Sequence, residues 1–486
     1  MTDLSNPLTP APHPDLPSAP ETPYYPIPAP MPGKTVVKKP RRSLLQVVTI
    51  GALTVAVGVT GAISVRMHDN AMRPYEPPPF GGPVIPGDPP FPPVPAMPCQ
   101  LSADMWLFGL CGSGDDYLRS VAISGDGTVF AAGSSNSVDG SFAGFQMHPA
   151  NTNGYMAIVE PDSFPWLQRG PELVHDVKAA PDGTVVAVGE AVFNEAAATI
   201  TKYDDEGEAI WQKQFFSAGL TPSFHGVAIG QDGAITAWGM AAVPDAEQPH
   251  VIVAQYTDDG VLNWWHDYGE VWTDVGSPES ATVDADGNIF LVGASLKPTP
   301  GGGSLEAMVS KLDPSGDLVW AKTYGGDSIH GFKAVTNTPN GHVVAVGSGG
   351  SIDGGSFPGV LAEIDQSGNV VSLWTHEVLA NTEFKAIAPT PSGGYAIAGY
   401  TGAGTEDALV LVVRDTASIG SSNFLYWQRS FGGSGDDLFE GIAVDSNGDI
   451  VVAGHTDSTD GNLPPSSGGR DAVLLRLTAD GQVVTE

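Results

Sequence analysis

The sequence has few basic residues and few charges of either sign. Among its 486 residues, Lys and Arg number 21 against 55 Asp and Glu, and charged residues make up 16%. A net charge of −34 repels phosphate backbones and argues against nucleic acid as a partner, whereas cations and basic proteins remain admissible. The simpler interpretation of the charge is solubility. The 61 Gly and 42 Pro indicate short strands joined by turns and argue against a helix-rich enzyme.

Recognisable catalytic motifs are also missing. The sequence contains no Ser-His-Asp order, no phosphate-binding glycine loop and no sialidase-type Asp box.

Cysteine is almost absent, with only Cys99 and Cys111. Both lie in a segment that we place outside the cytoplasm, where thiols can be oxidised, so a disulfide between them is one hypothesis.

The N-terminal part is organised around one apolar run. Residues 1–42 contain a Pro-rich stretch that cannot bury enough surface to fold, and they end in a basic cluster. Residues 43–65 then run without a charge, long enough for a helix of roughly 34 Å that crosses a membrane. Because the basic cluster precedes this helix, the positive-inside rule places the N-terminus in the cytoplasm and the C-terminal side outside it. A cleaved signal peptide is the alternative, although the tail is long for one.

The segment 66–98 follows as a linker. It is rich in proline, which favours an extended polyproline II spacer outside the membrane.

Residues 99–486 contain one repeat seven times. A turn glycine is followed six residues later by a second glycine, with a strand rich in β-branched residues between them. The pairs are Gly127/Gly133, Gly183/Gly189, Gly233/Gly239, Gly287/Gly293, Gly341/Gly347, Gly393/Gly399 and Gly448/Gly454. Each unit reads as four strands, A to D, so the sequence predicts an all-β, seven-bladed β-propeller of four-stranded antiparallel blades.

The last repeat stops before its strand D. The missing strand is predicted at the other end, because Trp106 precedes Asp115 by nine residues and Trp427 precedes Asp436 by the same number. The segment near Met105 to Leu110 is therefore expected to complete blade seven and to remove an exposed sheet edge.

Phe431 to Val483, which begins FGGSGDD and ends ADGQV, resembles the bacterial seven-bladed propeller repeat called SBBP and is also similar to the delta-sixty repeats. The resemblance covers Trp106 to Glu486, although blades two, three and six lack the GGSGDD box. It implies a bacterial protein that is exported or held at the cell surface. It brings no agreed catalytic residues.

Two sets of residues are candidates for a site. Eight residues before each strand A turn glycine lies a charged or titratable residue, and these are predicted to ring the mouth of the central channel: Arg119, His175, His225, Glu279, Lys333, Lys385 and Glu440. Such a ring could bind an anionic or zwitterionic ligand or perform acid–base chemistry, or its side chains could simply be solvated. The second set, Asp115, Asp116, Asp436 and Asp437, could ligate Ca²⁺ or accept backbone hydrogen bonds in a turn.

The variable B–C loops and the D–A loops share one face, which is the predicted binding surface. The first functional hypothesis is a membrane-tethered scaffold outside the cytoplasm that binds a protein, peptide or glycan without catalysis. The alternative is an enzyme at the channel mouth, a lyase, hydrolase or quinoprotein. YDDEGEAIWQK and LDPSGDLVWAK resemble quinoprotein tryptophan motifs, but quinoproteins have eight blades and cofactor ligands that this sequence does not show. A role for Ca²⁺ in stabilising the blades is the third hypothesis, and no other cofactor is expected.

Overall fold

The fold is taken from a computed structural model. It describes residues 94–95, 106–143, 153–160, 165–169, 173–191, 197–217, 220–243, 249–269, 277–299, 302–325, 329–350, 357–376, 381–402 and 404–485. The predicted tail 1–42, the predicted membrane helix 43–65 and almost all of the linker 66–98 lie outside these residues. Within the described ranges, no helix is long and apolar enough to cross a membrane.

Seven antiparallel sheets, each with strands in the order A, B, C, D, form the blades of a propeller. Blades one to three comprise Asp116–Ile123, Val129–Ser135, Asn153–Val159 and Trp166–Arg169; Leu173–Ala179, Val185–Ala191, Ala197–Tyr203 and Ala209–Phe215; Thr221–Ile229, Ile235–Ala242, His250–Tyr256 and Leu262–Asp267. Blades four and five comprise Ser277–Val283, Ile289–Thr299, Gly302–Leu312 and Leu318–Tyr324; Gly331–Asn337, Val343–Ser348, Gly359–Ile364 and Val370–His376. Blades six and seven comprise Thr382–Pro389, Tyr395–Thr401, Asp407–Val413 and Leu425–Phe431; Asp437–Val444, Ile450–Thr456, Asp471–Leu477 and Leu107–Leu110.

The predicted closure of the ring is confirmed. Strand D of blade seven is Leu107–Leu110, which pairs antiparallel with strand C of that blade, Leu107 opposite Leu475 and Leu110 opposite Ala472. Strand A of every blade contacts strand A of the next, including blade seven with blade one. The two ends of the propeller are thus joined within one sheet.

Two further elements depart from the simple repeat. Val94–Pro95, in the predicted linker, pairs with strand D of blade one and gives that blade a fifth strand. An outermost strand leaves its hydrogen-bonding groups unpaired, which is why an extended segment can add there. Short 3₁₀ turns occupy Gly140–Phe142 and Thr416–Ser418.

The hydrophobic core lies between blades rather than inside them. Seven clusters of buried side chains are present among the described residues, and each joins two neighbouring blades. The cluster at the closure contains Trp106 and Phe108 together with Val451 and Leu474. Since a single four-stranded blade exposes both of its faces, it gains its stability from the neighbours that cover them.

Tryptophans of strand D connect successive blades at their outer edge. The indole N–H donates to a carbonyl in the turn that follows strand C of the next blade, at 3.0–3.1 Å. The pairs are Trp211 with Asp258, Trp264 with Pro314, Trp320 with Gln366 and Trp427 with Ala479. In blades two, three, four and six, the strand D tryptophan therefore fastens its blade to the next one.

Candidate binding site

A β-bulge in strand A places each of the seven predicted ring residues. In every blade the pairing of strand A with strand B skips one residue. The skipped residues are Arg119, His175, His225, Glu279, Lys333, Lys385 and Glu440. A bulge inserts one extra residue and re-aims its side chain. The same irregularity repeated seven times therefore builds the mouth of the channel.

The second glycine of each repeat is explained by this bulge. Gly239 of strand B lies opposite Phe224, the residue before the bulge. A Cβ at Gly239 would lie 1.9 Å from the carbonyl oxygen of Ser223, and one at Gly347 would lie 2.0 Å from that of Gly331. Only a residue without a side chain allows the two strands to approach this closely.

All seven ring residues line one central cavity of about 670 Å³. Two positions further along strand A, six blades contribute an apolar side chain to the cavity wall. These are Val121, Val227, Ala281, Val335, Ile387 and Ile442, whereas Val177 is fully buried in the core between blades one and two. The cavity therefore has titratable side chains at its mouth and a mixture of polar and apolar side chains along its wall, and its dimensions suit a small molecule or a protruding group of a larger one.

Lysines and glutamates on blades four to six form a connected network at the mouth. The Lys333 ammonium lies 3.0 Å from Glu279 and 3.8 Å from Glu383, and Lys385 lies 3.3 Å from Glu383. Burial disfavours the charge on Lys333, but the surrounding carboxylates of Glu279, Glu383 and Glu440 outweigh it and raise the pKa of the ammonium. This side of the mouth is held together by paired charges.

The two ring histidines are neighbours and are uncharged at neutral pH. The ring centroids of His175 and His225 are 5.4 Å apart. Burial lowers the pKa of His175 to about 4, and the charges of His225 and Arg119 add to the effect. The His225 side chain is exposed at the mouth. The protein that surrounds its imidazole still excludes part of the solvent, and this desolvation lowers its pKa as well. The Nε2 atom of His175 has no hydrogen-bond partner among the described residues.

In a third sector, on blades seven and one, the sequence reasoning identified Arg119 but missed the side chains around it. Arg119 and Arg470 place their guanidinium carbons 5.5 and 6.0 Å from the ring centroid of Tyr117. His455, which is 3% exposed, meets the same tyrosine edge-on with ring centroids 5.0 Å apart. Tyr117 lies two residues before a ring position, and the bulge at Arg119 breaks the strand alternation by which it could have been found. Arg470 lies in a variable loop, where no sequence pattern pointed to it.

The aspartates of the first GSGDD box accept hydrogen bonds from other groups of the protein. Asp116 is fully buried and accepts hydrogen bonds from the hydroxyls of Ser135 and of Ser137, the latter at 2.9 Å. Asp115 accepts the backbone N–H of Arg470 at 3.1 Å. These contacts link the D–A loop to the B–C loop of the same blade and to blade seven, so both loop types do lie on one face.

The second box repeats this arrangement. Asp437 accepts hydrogen bonds from the hydroxyls of Thr456 and of Ser458, the latter at 2.7 Å. Asp436 accepts the backbone N–H of Glu406 at 3.1 Å. The turn interpretation of the four aspartates accounts for these contacts. Binding of Ca²⁺ at these aspartates stays a prediction.

Within the described part of the chain, one group of three carboxylates is close enough to share a cation, Asp204, Asp205 and Glu206 in the exposed C–D turn of blade two. It lies apart from both predicted sets.

Cys111 is buried and takes part in a disulfide. Cys99, the other cysteine of the sequence, lies outside the described residues.

Comparison with known proteins supports the fold alone. No family model and no curated protein matches the chain, so the resemblance to SBBP repeats stays a prediction. Among solved structures, a puromycin hydrolase S511A mutant complexed with PGG is similar at a TM-score of 0.50 and 15% identity, covering 81% of this chain and 56% of that one. Sqt1 from Chaetomium thermophilum is similar at a TM-score of 0.44 and 13% identity, covering 78% and 85%. The β-propeller domain of the Trilobed protease from Pyrococcus furiosus, described as having an open velcro topology, is similar at 0.43 and 9%, covering 76% and 96%.

Proposed function

We propose that this chain is a membrane-tethered propeller of the SBBP type that binds a protein, peptide or glycan outside the cytoplasm, without catalysis. The observation that carries the proposal is the ring of seven bulges, which directs seven titratable side chains into one cavity. Bulges are local features that re-aim side chains, and a scaffold gains nothing in stability from gathering charges at one place. The variable B–C loops around the mouth supply the surface on which specificity can be built.

Binding is tested with the full chain in detergent or in membranes. Envelope extracts and a glycan array are probed with the wild-type chain and with Lys333→Met, which removes the central cation of the paired network. Lys322→Met is the matched control, because this lysine bonds the Ser367 carbonyl in a C–D turn, away from the mouth. We expect one partner or glycan to be retained by the wild type and the control and lost by Lys333→Met. Equal retention by all three would contradict a site at the mouth.

The membrane anchor is a separate part of the proposal. It is supported by the uncharged run at 43–65 behind a basic cluster. A C-terminal alkaline phosphatase fusion should be active and should stay in the membrane after carbonate extraction, and deletion of 43–65 should abolish both properties. An inactive, soluble fusion of the intact chain would refute the anchor.

One observation favours the enzyme alternative. His175 and His225 are neutral at neutral pH, and a neutral imidazole is the form that accepts a proton from a substrate. Turnover by the purified chain of any hydrolase or lyase substrate, lost in His175→Gln, would replace the binding proposal by this one. A bound chromophore in the purified chain would identify the quinoprotein version.

A further inference from the structure

Beside the mouth, on blades seven and one, lies a group of side chains that contains two arginines without an ion-pair partner among the described residues. It consists of Tyr117, Arg119, His455 and Arg470 and is called the cationic wall below. Neither arginine forms an ion pair with another described residue, in contrast to Lys333 and Lys385 across the mouth. Arg470 reaches the hydroxyl of Tyr117 at 3.4 Å.

The placement of these arginines is unusual for this chain. The propeller segment contains few Lys and Arg and a large excess of Asp and Glu, so random placement would surround each cation with carboxylates. Asp115 and Asp457 are near enough to raise the pKa of Arg470, after its hydrogen bond to Tyr117, but they do not reach ion-pair distance. Two guanidinium groups on one aromatic ring therefore keep most of their donors free.

His455 adds a buried and unused polar atom. Its side chain is 3% exposed, and Nδ1 has no hydrogen-bond partner among the described residues. Burying a polar atom without a partner costs folding free energy. Such an atom beside two unpaired arginines is understandable if a ligand group completes the set.

The chemistry of the wall selects one kind of ligand group. Guanidinium groups donate in a planar fork that matches the oxygens of a carboxylate, phosphate or sulfate, and a neutral imidazole can add a further N–H donor. A cationic ligand would meet like charges here. We propose that Tyr117, Arg119, His455 and Arg470 bind an oxyanionic group of the ligand, a role that rests on the proposed binding function of the mouth.

The experiment measures anion binding by the full chain in detergent at constant ionic strength. Acetate, inorganic phosphate and sulfate are titrated by calorimetry and by the shift in thermal midpoint, with chloride as the reference. We expect at least one of the three to bind saturably, and its identity tells a carboxylate ligand from a phosphorylated or sulfated one. Arg119→Gln and Arg470→Gln should each weaken binding about tenfold, which corresponds to about 1.4 kcal/mol.

Arg414→Gln is the matched control. Arg414 also lies over a tyrosine, 5.2 Å from the ring centroid of Tyr426, but on an outer strand and bonded to the Asn423 carbonyl. It should bind anions as the wild type does. Arg470→Lys keeps the charge without the fork and should fall between wild type and Arg470→Gln, and circular dichroism verifies that each variant is folded.

No saturable binding of any of the three anions, or equal losses in Arg470→Gln and Arg414→Gln, would overturn the inference. In that event, capture of a partner that still depends on Lys333 would leave the proposed function standing. If no partner is captured but an anion still binds saturably, the proposed function fails and the anion site stands. The cationic wall would then bind anions without contributing to the binding of a partner.

Discussion

Asp116 should make the stability of the propeller depend on pH. Its side chain is fully buried at the seam between blades one and seven. Burial raises the pKa of this carboxyl to about 7, although hydrogen bonds from Ser135 and Ser137 act in the opposite direction. In the unfolded chain the pKa of an aspartate is about 3.9. The folded state therefore holds the proton more tightly, so the contribution to stability is complete below about pH 4 and is lost as the pH rises through 7.

The magnitude follows from the difference of about three pKa units, each worth about 1.4 kcal/mol, or about 4 kcal/mol in full. Roughly 2.5 kcal/mol of this falls between pH 5 and pH 8. His175 and His455, whose pKa values burial lowers to about 4, contribute with the opposite sign in the same range. Only a comparison between variants isolates the aspartate.

Asp116→Asn removes the titration while it keeps the shape of the side chain. The free energy of unfolding in urea, followed by tryptophan fluorescence, is measured for wild type and variant from pH 5 to pH 8. The variant should gain roughly 2.5 kcal/mol relative to wild type over this range. Asp286→Asn, at an exposed turn, should follow the wild type at every pH. Parallel curves for wild type and Asp116→Asn would refute the reasoning.

Five further predictions concern the scaffold. Gly347→Ala should destabilise the fold more than Gly341→Ala, because the first Cβ would lie 2.0 Å from a carbonyl oxygen whereas the second meets nothing within 4 Å and costs only the strain of φ +82°, about 1 kcal/mol. Trp320→Phe should cost about 1 kcal/mol in urea denaturation through loss of its bond to Gln366. Phe108→Ala should cost about 3–5 kcal/mol because it opens a cavity at the closure, and deletion of residues 100–112 should prevent cooperative unfolding altogether. EDTA should leave the thermal midpoint unchanged, since protein donors already occupy the aspartates of both GSGDD boxes; a fall in the midpoint would establish a structural cation.

The repeat made the fold predictable. A turn glycine must adopt positive φ, and all seven first glycines do, from +82° to +96°. The matching distances from Trp106 to Asp115 and from Trp427 to Asp436 located the closing strand for the same reason, because each blade reuses one set of local constraints. Constraints of this kind depend on residues that are close in sequence, so they can be recognised without the tertiary structure.

The ring could also be found by counting, since each member lies at a fixed distance from its turn glycine. The side chains that contact the ring residues could not be found in this way. Two of these partners lie two residues before a ring position: Glu383, which bridges Lys333 and Lys385, and Tyr117, which contacts two arginines. The bulge at the ring position interrupts the simple alternation of strand faces, so alternation does not identify them. Arg470 comes from a B–C loop whose sequence differs between blades, and the matching position of blade six, which donates its backbone N–H to Asp436 as Arg470 does to Asp115, is Glu406.

The sequence by itself determined the number of blades, the strand that closes them and the positions that face the channel, because these follow from the periodic pattern of glycine and β-branched residues and from the matched spacings of Trp106 and Trp427. Only the tertiary structure decided which charges at the mouth are paired and which are free. Pairing depends on side chains contributed by different blades, and their distances are set by closing the ring rather than by any spacing along the chain.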